Sequence, residues 1–390
     1  MERNVFAPKL SQQSDEINNN VTAATAARQP KSDNTSRSLL LMAHLSLIGF
    51  AFLVPIFFWP GLLASLGFSK VMLGLLTVGV TVIALALLML RTSTVRTVLP
   101  APLLLLWGVV IAAFVSGLFS VDTLAAFRGS FVEIHTVSFL GMLAMVATIG
   151  LLVQQNKQCM TRVLQAFFAS AGLVLLYIAG RLVLGPVLAF ESFPTVTASP
   201  LGSFNDMAVF AALLILLATI SLLQLSLSKT MQVTFSIVVL LSLFVLAAVN
   251  FLYVWLVVGF FGLLVLLYIV AQDTLFVSEA TNSIQQTTSK IAVGVSVLIC
   301  ITSAGFIVAG DYLGPYVSNT LEVEYLEVRP SLLSTIDIAQ NVYADNAMFG
   351  VGPNQFVSSW REFKASSINQ TIFWNTDFRA GSGYVPVSYT

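Results

Sequence analysis

Residues 71–90 read VMLGLLTVGVTVIALALLML, a run of 20 residues without a charged side chain. An α-helix rises 1.5 Å per residue, so about 20 apolar residues cross the roughly 30 Å hydrocarbon core of a bilayer. Basic residues flank the run, with Lys70 before it and Arg91 after it. The run therefore predicts a membrane-spanning helix.

The rest of the chain repeats this composition. Hydrophobic residues make up 57% of the 390 positions and charged residues only 9%, whereas a soluble domain needs about 25% charged residues to wet its surface. The net charge of +0 gives no electrostatic basis for binding nucleic acid. We therefore predict an all-α polytopic bundle of nine transmembrane helices, over Ser38–Trp59, Val71–Leu90, Val98–Phe119, Ile134–Val153, Val163–Leu184, Met207–Leu227, Met231–Val249, Phe251–Ala271 and Ile291–Ala309.

Three other segments complete the predicted organisation. Residues 1–37 are polar and contain a single aromatic residue, a composition typical of disorder. Residues 310–383 form an extramembrane loop long enough to fold, and we expect two short helices in it. Residues 384–390 resemble the opening of a further span, which predicts that the chain is truncated.

Basic residues predict how the spans are oriented. If the N-terminal tail is inside, the short outer connections and their flanks carry only Lys70, Arg128 and Arg181. The inner connections carry more basic residues, as the positive-inside rule requires: Arg91, Arg96, Lys157, Arg162, Lys229 and Lys290. We therefore expect a cytoplasmic N-terminus and an outer location for the long loop.

The predicted outer connection between the third and fourth spans carries three groups able to do chemistry. Arg128 is suited to bind a phosphate, and Glu133 or His135 is suited to accept a proton from a hydroxyl group. The alternative is an interfacial loop in which the arginine reaches lipid headgroups and the glutamate pairs locally.

Two more features lie at the predicted outer side. Arg181 stands about one turn inside the end of the fifth span; it either reaches the headgroups or faces an outer cavity and pairs with an anionic lipid headgroup. Asn205 and Asp206 precede the sixth span, where either side chain is suited to cap the helix. A helix N-terminus in an outer cavity would also favour a bound anion.

The long loop contains a predicted amphipathic helix that begins near Pro330, just after Arg329. Its apolar residues at helical spacing are Leu332, Ile336, Ala339 and Tyr343, and Asp337 lies on its polar side. The run Gly350-Val351-Gly352-Pro353 ends this helix. A second short helix should bury Phe356, Trp360 and Phe363, and the two helices are predicted to form a lid over the bundle.

Two of these segments resemble the signatures of O-antigen ligases and polymerases. LGSFNDMAVF (201–210) resembles the G-[ST]-F…N-x-[LM]-A-x-[FY] signature of that family. The run from Arg329 to FGVGPNQF (349–356) resembles the loop signature, in which an arginine opens a helix that ends in a glycine turn. The family's histidine segment is not matched by FWNTDF (373–378), so the role of that histidine is not carried over.

The resemblance implies an outer-face glycan transferase of the bacterial inner membrane. Its donor would be a glycan on a polyprenyl diphosphate, and its acceptor a hydroxyl group of a glycan or lipid among the membrane lipids. No metal or other cofactor is implied. The resemblance carries over Arg329 and the pair Asn205 and Asp206, which would bind the diphosphate. The requirements of such a donor add Arg128 and Arg181 as further diphosphate-binding residues, and Glu133, Asp337 or Asp377 as the group that accepts the proton. The loop motif consists of Gly350, Gly352, Pro353 and Phe356.

Other functions remain open from the sequence. A polymerase would use the same donor with a second lipid-linked glycan as the acceptor. A flippase or transporter of lipid-linked glycans predicts broken helices and charges near the bilayer midplane. A non-catalytic scaffold predicts that the outer arginines can be replaced without loss of function.

Overall fold

The structure, a computed structural model, describes residues 34–59, 66–92, 100–129, 133–153, 157–188, 193, 197–225, 227–275, 283–323, 330–370, 374–378 and 380–381. Most of these residues are helical. The helices are α1 (Asn34–Ile56), α2 (Leu66–Thr92), α3 (Ala101–Leu118), α4 (Thr123–Phe127), α5 (Val137–Val153), α6 (Lys157–Leu184), α7 (Phe204–Gln224), α8 (Lys229–Val249), α9 (Leu252–Leu275), α10 (Ser283–Thr320), α11 (Leu332–Asp345) and α12 (Phe356–Phe363).

The predicted fold class is confirmed. Within the described ranges, eight helices are long and apolar enough to cross a membrane, and they make the chain an all-α multi-pass membrane protein. The fourth predicted span corresponds to α5, which is apolar but has only 17 residues. A helix of that length reaches roughly 25 Å, at the lower limit for a span. Residues 1–33 and 382–390, which include most of the predicted tail and the start of the further span, lie outside the described residues.

The last long helix, α10, continues beyond the predicted end of its span at Ala309. Ala309 has non-helical backbone angles (φ −118°, ψ 21°), and the helix resumes after it and runs to Thr320. The Asn250 side-chain amide donates to the Gly310 carbonyl at 3.1 Å, so a side chain supplies a donor beside the break. Hydropathy locates the end of the apolar run, whereas the helix itself ends 11 residues later.

The main hydrophobic core is shared by the five helices α6, α7, α8, α9 and α10. Their shared core contains Trp255 and Phe168, both almost completely buried, and Phe168 stacks on Phe235 at 4.2 Å between ring centroids. The most apolar stretches of α6, α7 and α8 are at least half buried, whereas those of α1, α2, α3, α9 and α10 are at most 28% buried and leave most of their side chains at least partly exposed. Such residues are suited to contact lipid, because hydrocarbon tails replace the neighbouring side chains of a soluble core.

We call the side on which α3, α6, α8 and α10 end the loop face, because the long loop follows α10 and contacts the end of α3. On this face, α11 and α12 form a small core of their own that contains Ile338, Val342, Phe356, Trp360 and Phe378. The prediction that Phe356 and Trp360 are buried is confirmed.

The predicted buried face of α11 is wrong. Leu332, Ile336 and Tyr343 are exposed, and the buried residues are Thr335, Ile338 and Val342. Apolar residues occur on more than one side of this helix, so spacing alone left the choice open. Packing against α12 decides which side is buried.

Candidate functional site

The long loop reaches the bundle through residues 349–355, which we call the docking turn. It contacts the α3–α5 connection, residues 119–136, and the last turn of α3. Ser116 Oγ donates to the Phe349 carbonyl at 2.6 Å. The Phe349 ring stacks on Phe119 with 4.3 Å between ring centroids and an angle of 13°. These contacts join segments more than 200 residues apart in the sequence.

Glycine is required in the docking turn for both backbone conformation and space. Gly350 and Gly352 have φ angles of 61° and 96°, a region that residues with a Cβ rarely adopt. A Cβ on Gly352 would lie 2.6 Å from Ser120 Cβ and 2.8 Å from Ser120 Oγ. The glycines of the loop signature therefore permit close contact between the loop and the end of α3.

Two amide side chains complete the contact. Asn354 has a φ angle of 61°, and its Nδ2 donates to the Ala125 carbonyl at 3.2 Å and to Glu133 Oε2 at 2.8 Å. Gln355 Nε2 donates to the Asp122 carbonyl at 3.1 Å. Neither amide residue was predicted from the sequence to be functional. A polar residue directly after a glycine–proline turn was the available signal.

The α3–α5 connection presents an arginine and a carboxylate beside the docking turn. Arg128 follows α4, is exposed, and makes no side-chain hydrogen bond or ion pair within the described part of the chain. Glu133 is half-buried; its Oε2 accepts from Asn354, whereas Oε1 has no hydrogen bond to a described residue. Burial lowers the pKa of His135, although the charge of Glu133 opposes this shift, so a neutral imidazole is favoured near pH 7.

Arg181, unlike the exposed Arg128, is buried and bound by its own part of the protein. It is only 1% exposed and lies at the end of α6, where its guanidinium donates to the carbonyls of Phe193 and Ala198 at 3.0 Å each. It also donates to the Tyr177 hydroxyl at 3.2 Å. Neither predicted role, reaching the headgroups or pairing with an anionic lipid, corresponds to this geometry. The arginine instead holds the α6–α7 connection, residues 185–203, against its own helix.

The N-terminus of α7 is capped, and Asp206 takes part in the cap as predicted, although another residue is the N-cap. The N-cap is Ser203, whose Oγ accepts from the Asp206 backbone N–H at 3.3 Å. The Asp206 carboxylate returns the interaction by accepting from Ser203 N at 2.9 Å, which completes a capping box. Asp206 is therefore occupied by this cap. Asn205 is half-buried, and no described residue hydrogen-bonds to its side chain.

The remaining predicted site residues are not all brought together. Arg329 lies outside the described residues, and Pro330, which follows it, is buried. Asp337 lies on α11 and lines a pocket between α11 and α12, whose lining contains no residue of the α3–α5 connection. Asp377 forms an ion pair with Arg361. Among the carboxylates proposed to accept a proton, Glu133 is the one whose backbone N–H donates to the Arg128 carbonyl and whose side chain contacts the docking turn.

Comparisons of the chain with protein families, with curated proteins and with solved structures find no match. The resemblance to O-antigen ligases and polymerases therefore rests on two sequence signatures. In the structure, the first signature forms the start of α7 and the second joins α11 to α12 through the docking turn. Both lie at the loop face.

Proposed function

We propose that the protein transfers a glycan from a polyprenyl diphosphate to an acceptor hydroxyl group at the loop face of the membrane. The observation that carries the proposal is the contact made by the docking turn. The loop signature, 221 residues from Glu133 in the sequence, meets the connection that carries an exposed arginine and a carboxylate. A cation and a carboxylate on one connection at a membrane surface suit a donor whose leaving group is an anion.

The proposed reaction is one displacement at the anomeric carbon of the donor. The acceptor oxygen forms a bond to that carbon while the bond to the diphosphate oxygen breaks and its electron pair leaves with the polyprenyl diphosphate. The acceptor proton passes to Glu133 Oε1. Asn354 holds Oε2 at 2.8 Å and so orients the carboxylate.

Cations stabilise the negative charge that develops on the departing diphosphate. Arginine is well suited to this role, because its planar group donates two parallel hydrogen bonds to phosphate oxygens. We assign the role to Arg128 and, through the resemblance, to Arg329. Arg181 is not assigned to it, because both of its terminal nitrogens donate to backbone carbonyls. The bundle, in the inner membrane of a bacterium with the loop outside, would hold the polyprenyl chain.

The test compares arginine variants in cells that lack the chromosomal gene. Loss of a single donor that stabilises developing charge typically slows a reaction by about 10²–10³-fold, so Arg128→Ala and Arg329→Ala should each accumulate unused lipid-linked glycan. Arg361→Ala is the matched control, because Arg361 is an exposed loop arginine that pairs with Asp377 and is not assigned to the diphosphate. Lipid-linked glycan is measured by extraction and mass spectrometry.

Normal glycan levels in both Arg128→Ala and Arg329→Ala would remove the diphosphate-binding role and with it the proposal. A flippase would also accumulate lipid-linked glycan when impaired, but on the opposite face of the membrane. Lectin binding to intact spheroplasts separates the two, because our proposal requires the unused glycan to be accessible from outside. Product chain length from a defined donor then distinguishes a polymerase from a ligase.

A further inference from the structure

A pocket of about 340 Å³ lies between α11 and the end of α12, apart from the docking turn. Ser334, Asp337 and Asn341 line one wall, and Phe363 and Lys364 line the other. The volume lies at the lower end of the range for small-molecule sites, roughly 300–1,000 Å³. The proposed reaction uses none of these side chains.

The pocket wall formed by α11 is polar, and its polar residues recur at helical spacing. Ser334, Asp337 and Asn341 lie at positions i, i+3 and i+7, which share one face of a helix, and Gln340 adds a second amide. The side chains of Asp337, Gln340 and Asn341 make no hydrogen bond to any described residue. Their donors and acceptors are therefore available to a ligand in the pocket.

The remaining lining limits the chemistry of that ligand. The partly buried ring of Phe363 and the buried side chain of Ile338 supply apolar surface. The charges of Asp337 and Lys364 oppose each other, and Lys364 Nζ already donates to the Trp374 carbonyl at 2.6 Å. The pocket thus favours neither an anion nor a cation. It fits a neutral molecule with many hydroxyl groups and one apolar face.

We propose that this pocket binds a sugar residue of a glycan substrate, an inference that rests on the proposed transfer function. Each sugar hydroxyl both donates and accepts hydrogen bonds, which matches a carboxylate beside two amides, because an amide offers two donors and one acceptor. The C–H face of a pyranose ring packs on an aromatic ring such as Phe363. Asp337, predicted from the sequence to be a base, is here a binding residue.

The experiment uses the full-length protein in phosphatidylcholine nanodiscs. Saturation-transfer NMR is recorded with glucose, galactose, N-acetylglucosamine and rhamnose as probes. At least one sugar should receive saturation from the wild-type protein, and the Asp337→Asn/Asn341→Ala double variant should weaken its binding at least tenfold. Asp345→Asn is the matched control, because Asp345 is an exposed carboxylate on the same helix outside the pocket. An unchanged melting temperature shows that the double variant is folded.

The inference is overturned if no sugar receives saturation, or if the double variant binds as the wild type does. Its failure is separable from that of the proposed function. If the protein binds a sugar but the arginine variants accumulate lipid-linked glycan through loss of flipping, the transfer function is contradicted. The assignment of the pocket then stands. If transfer is unaffected in the double variant, only the assignment of the pocket to a glycan substrate is contradicted. In the transfer assay, the double variant should raise KM for whichever substrate, donor or acceptor, occupies the pocket.

Discussion

The two polar connections at the loop face are held in opposite ways. The α6–α7 connection is held from within, because the buried Arg181 donates to the carbonyls of Phe193 and Ala198. The α3–α5 connection is held from outside, by amides and glycines of a loop that follows more than 200 residues later. One connection uses its arginine to fold, whereas the other leaves Arg128 exposed.

This difference separates a structural cation from one available to a ligand. A buried guanidinium must direct its donors to protein acceptors, because removal from water is costly unless it is hydrogen-bonded. An exposed guanidinium remains hydrated and can exchange water for phosphate. Position at the membrane surface therefore does not establish an arginine as a binding residue; the acceptors around it do.

Replacement of Arg181 should have the largest effect on stability. In Arg181→Met the carbonyls of Phe193 and Ala198 lose their charged donors. We expect the free energy of unfolding to fall by about 2–4 kcal/mol, because buried acceptors without partners carry a full desolvation cost. The measurement is the free energy of unfolding in detergent micelles. Arg128→Met is the matched control and should change stability by less than about 0.5 kcal/mol, as is usual for exposed positions. Equal losses in the two variants would contradict the distinction between the connections.

A glycine pair tests the external support of the α3–α5 connection. Gly352→Ala and Gly185→Ala both introduce a Cβ at positive φ, at 96° and 61°. For that reason the free energy of unfolding should fall by about 1–2 kcal/mol in each variant. Gly185 has open space around the new Cβ, whereas Gly352 faces Ser120 at 2.6 Å. We expect overpacking to lower the free energy of unfolding of Gly352→Ala by a further amount of about 1–3 kcal/mol.

Hydrogen exchange shows where that additional loss occurs. Amides of residues 349–355 should lose protection in Gly352→Ala and keep it in Gly185→Ala. If both variants leave the docking turn equally protected, the loop is held by contacts other than the glycine approach. The two connections would then differ less than their geometry indicates.

The membrane fold could be predicted from the sequence because hydropathy reports directly on the solvent around each helix. The run at residues 71–90 lies within α2, and the other long runs also correspond to helices. Helix ends were less predictable. The α10 helix continues through residues 310–320, which are less apolar, because the end of an apolar run does not itself end a helix.

The candidate site could be predicted only in part. Arg128, Glu133 and the glycine turn were each identified, but their contact depends on Asn354 and on an approach between distant segments that local patterns do not encode. The role of Arg181 differed from expectation for the same reason, and the partner of Asp206 in the helix cap was not predicted. Their partners are the backbone carbonyls of a neighbouring connection and the N-cap Ser203, and spacing does not specify such partners.

The pair between Arg361 and Asp377 should give the smallest effect, because both side chains are exposed, at 64% and 46%, and solvent screens them. The hydrogen bond from Arg361 lowers the pKa of Asp377 from its ordinary value of 3.8. A carboxylate with a lowered folded-state pKa contributes stability above its unfolded pKa and loses it as the pH falls through the folded value. Protection factors of residues 374–378 should therefore be constant from pH 7 to pH 5 and fall below about pH 3.8. Asp377→Asn should remove this dependence; if the variant keeps it, another carboxylate is responsible, and the exposed arginine of the loop contributes no more to folding than Arg128 does.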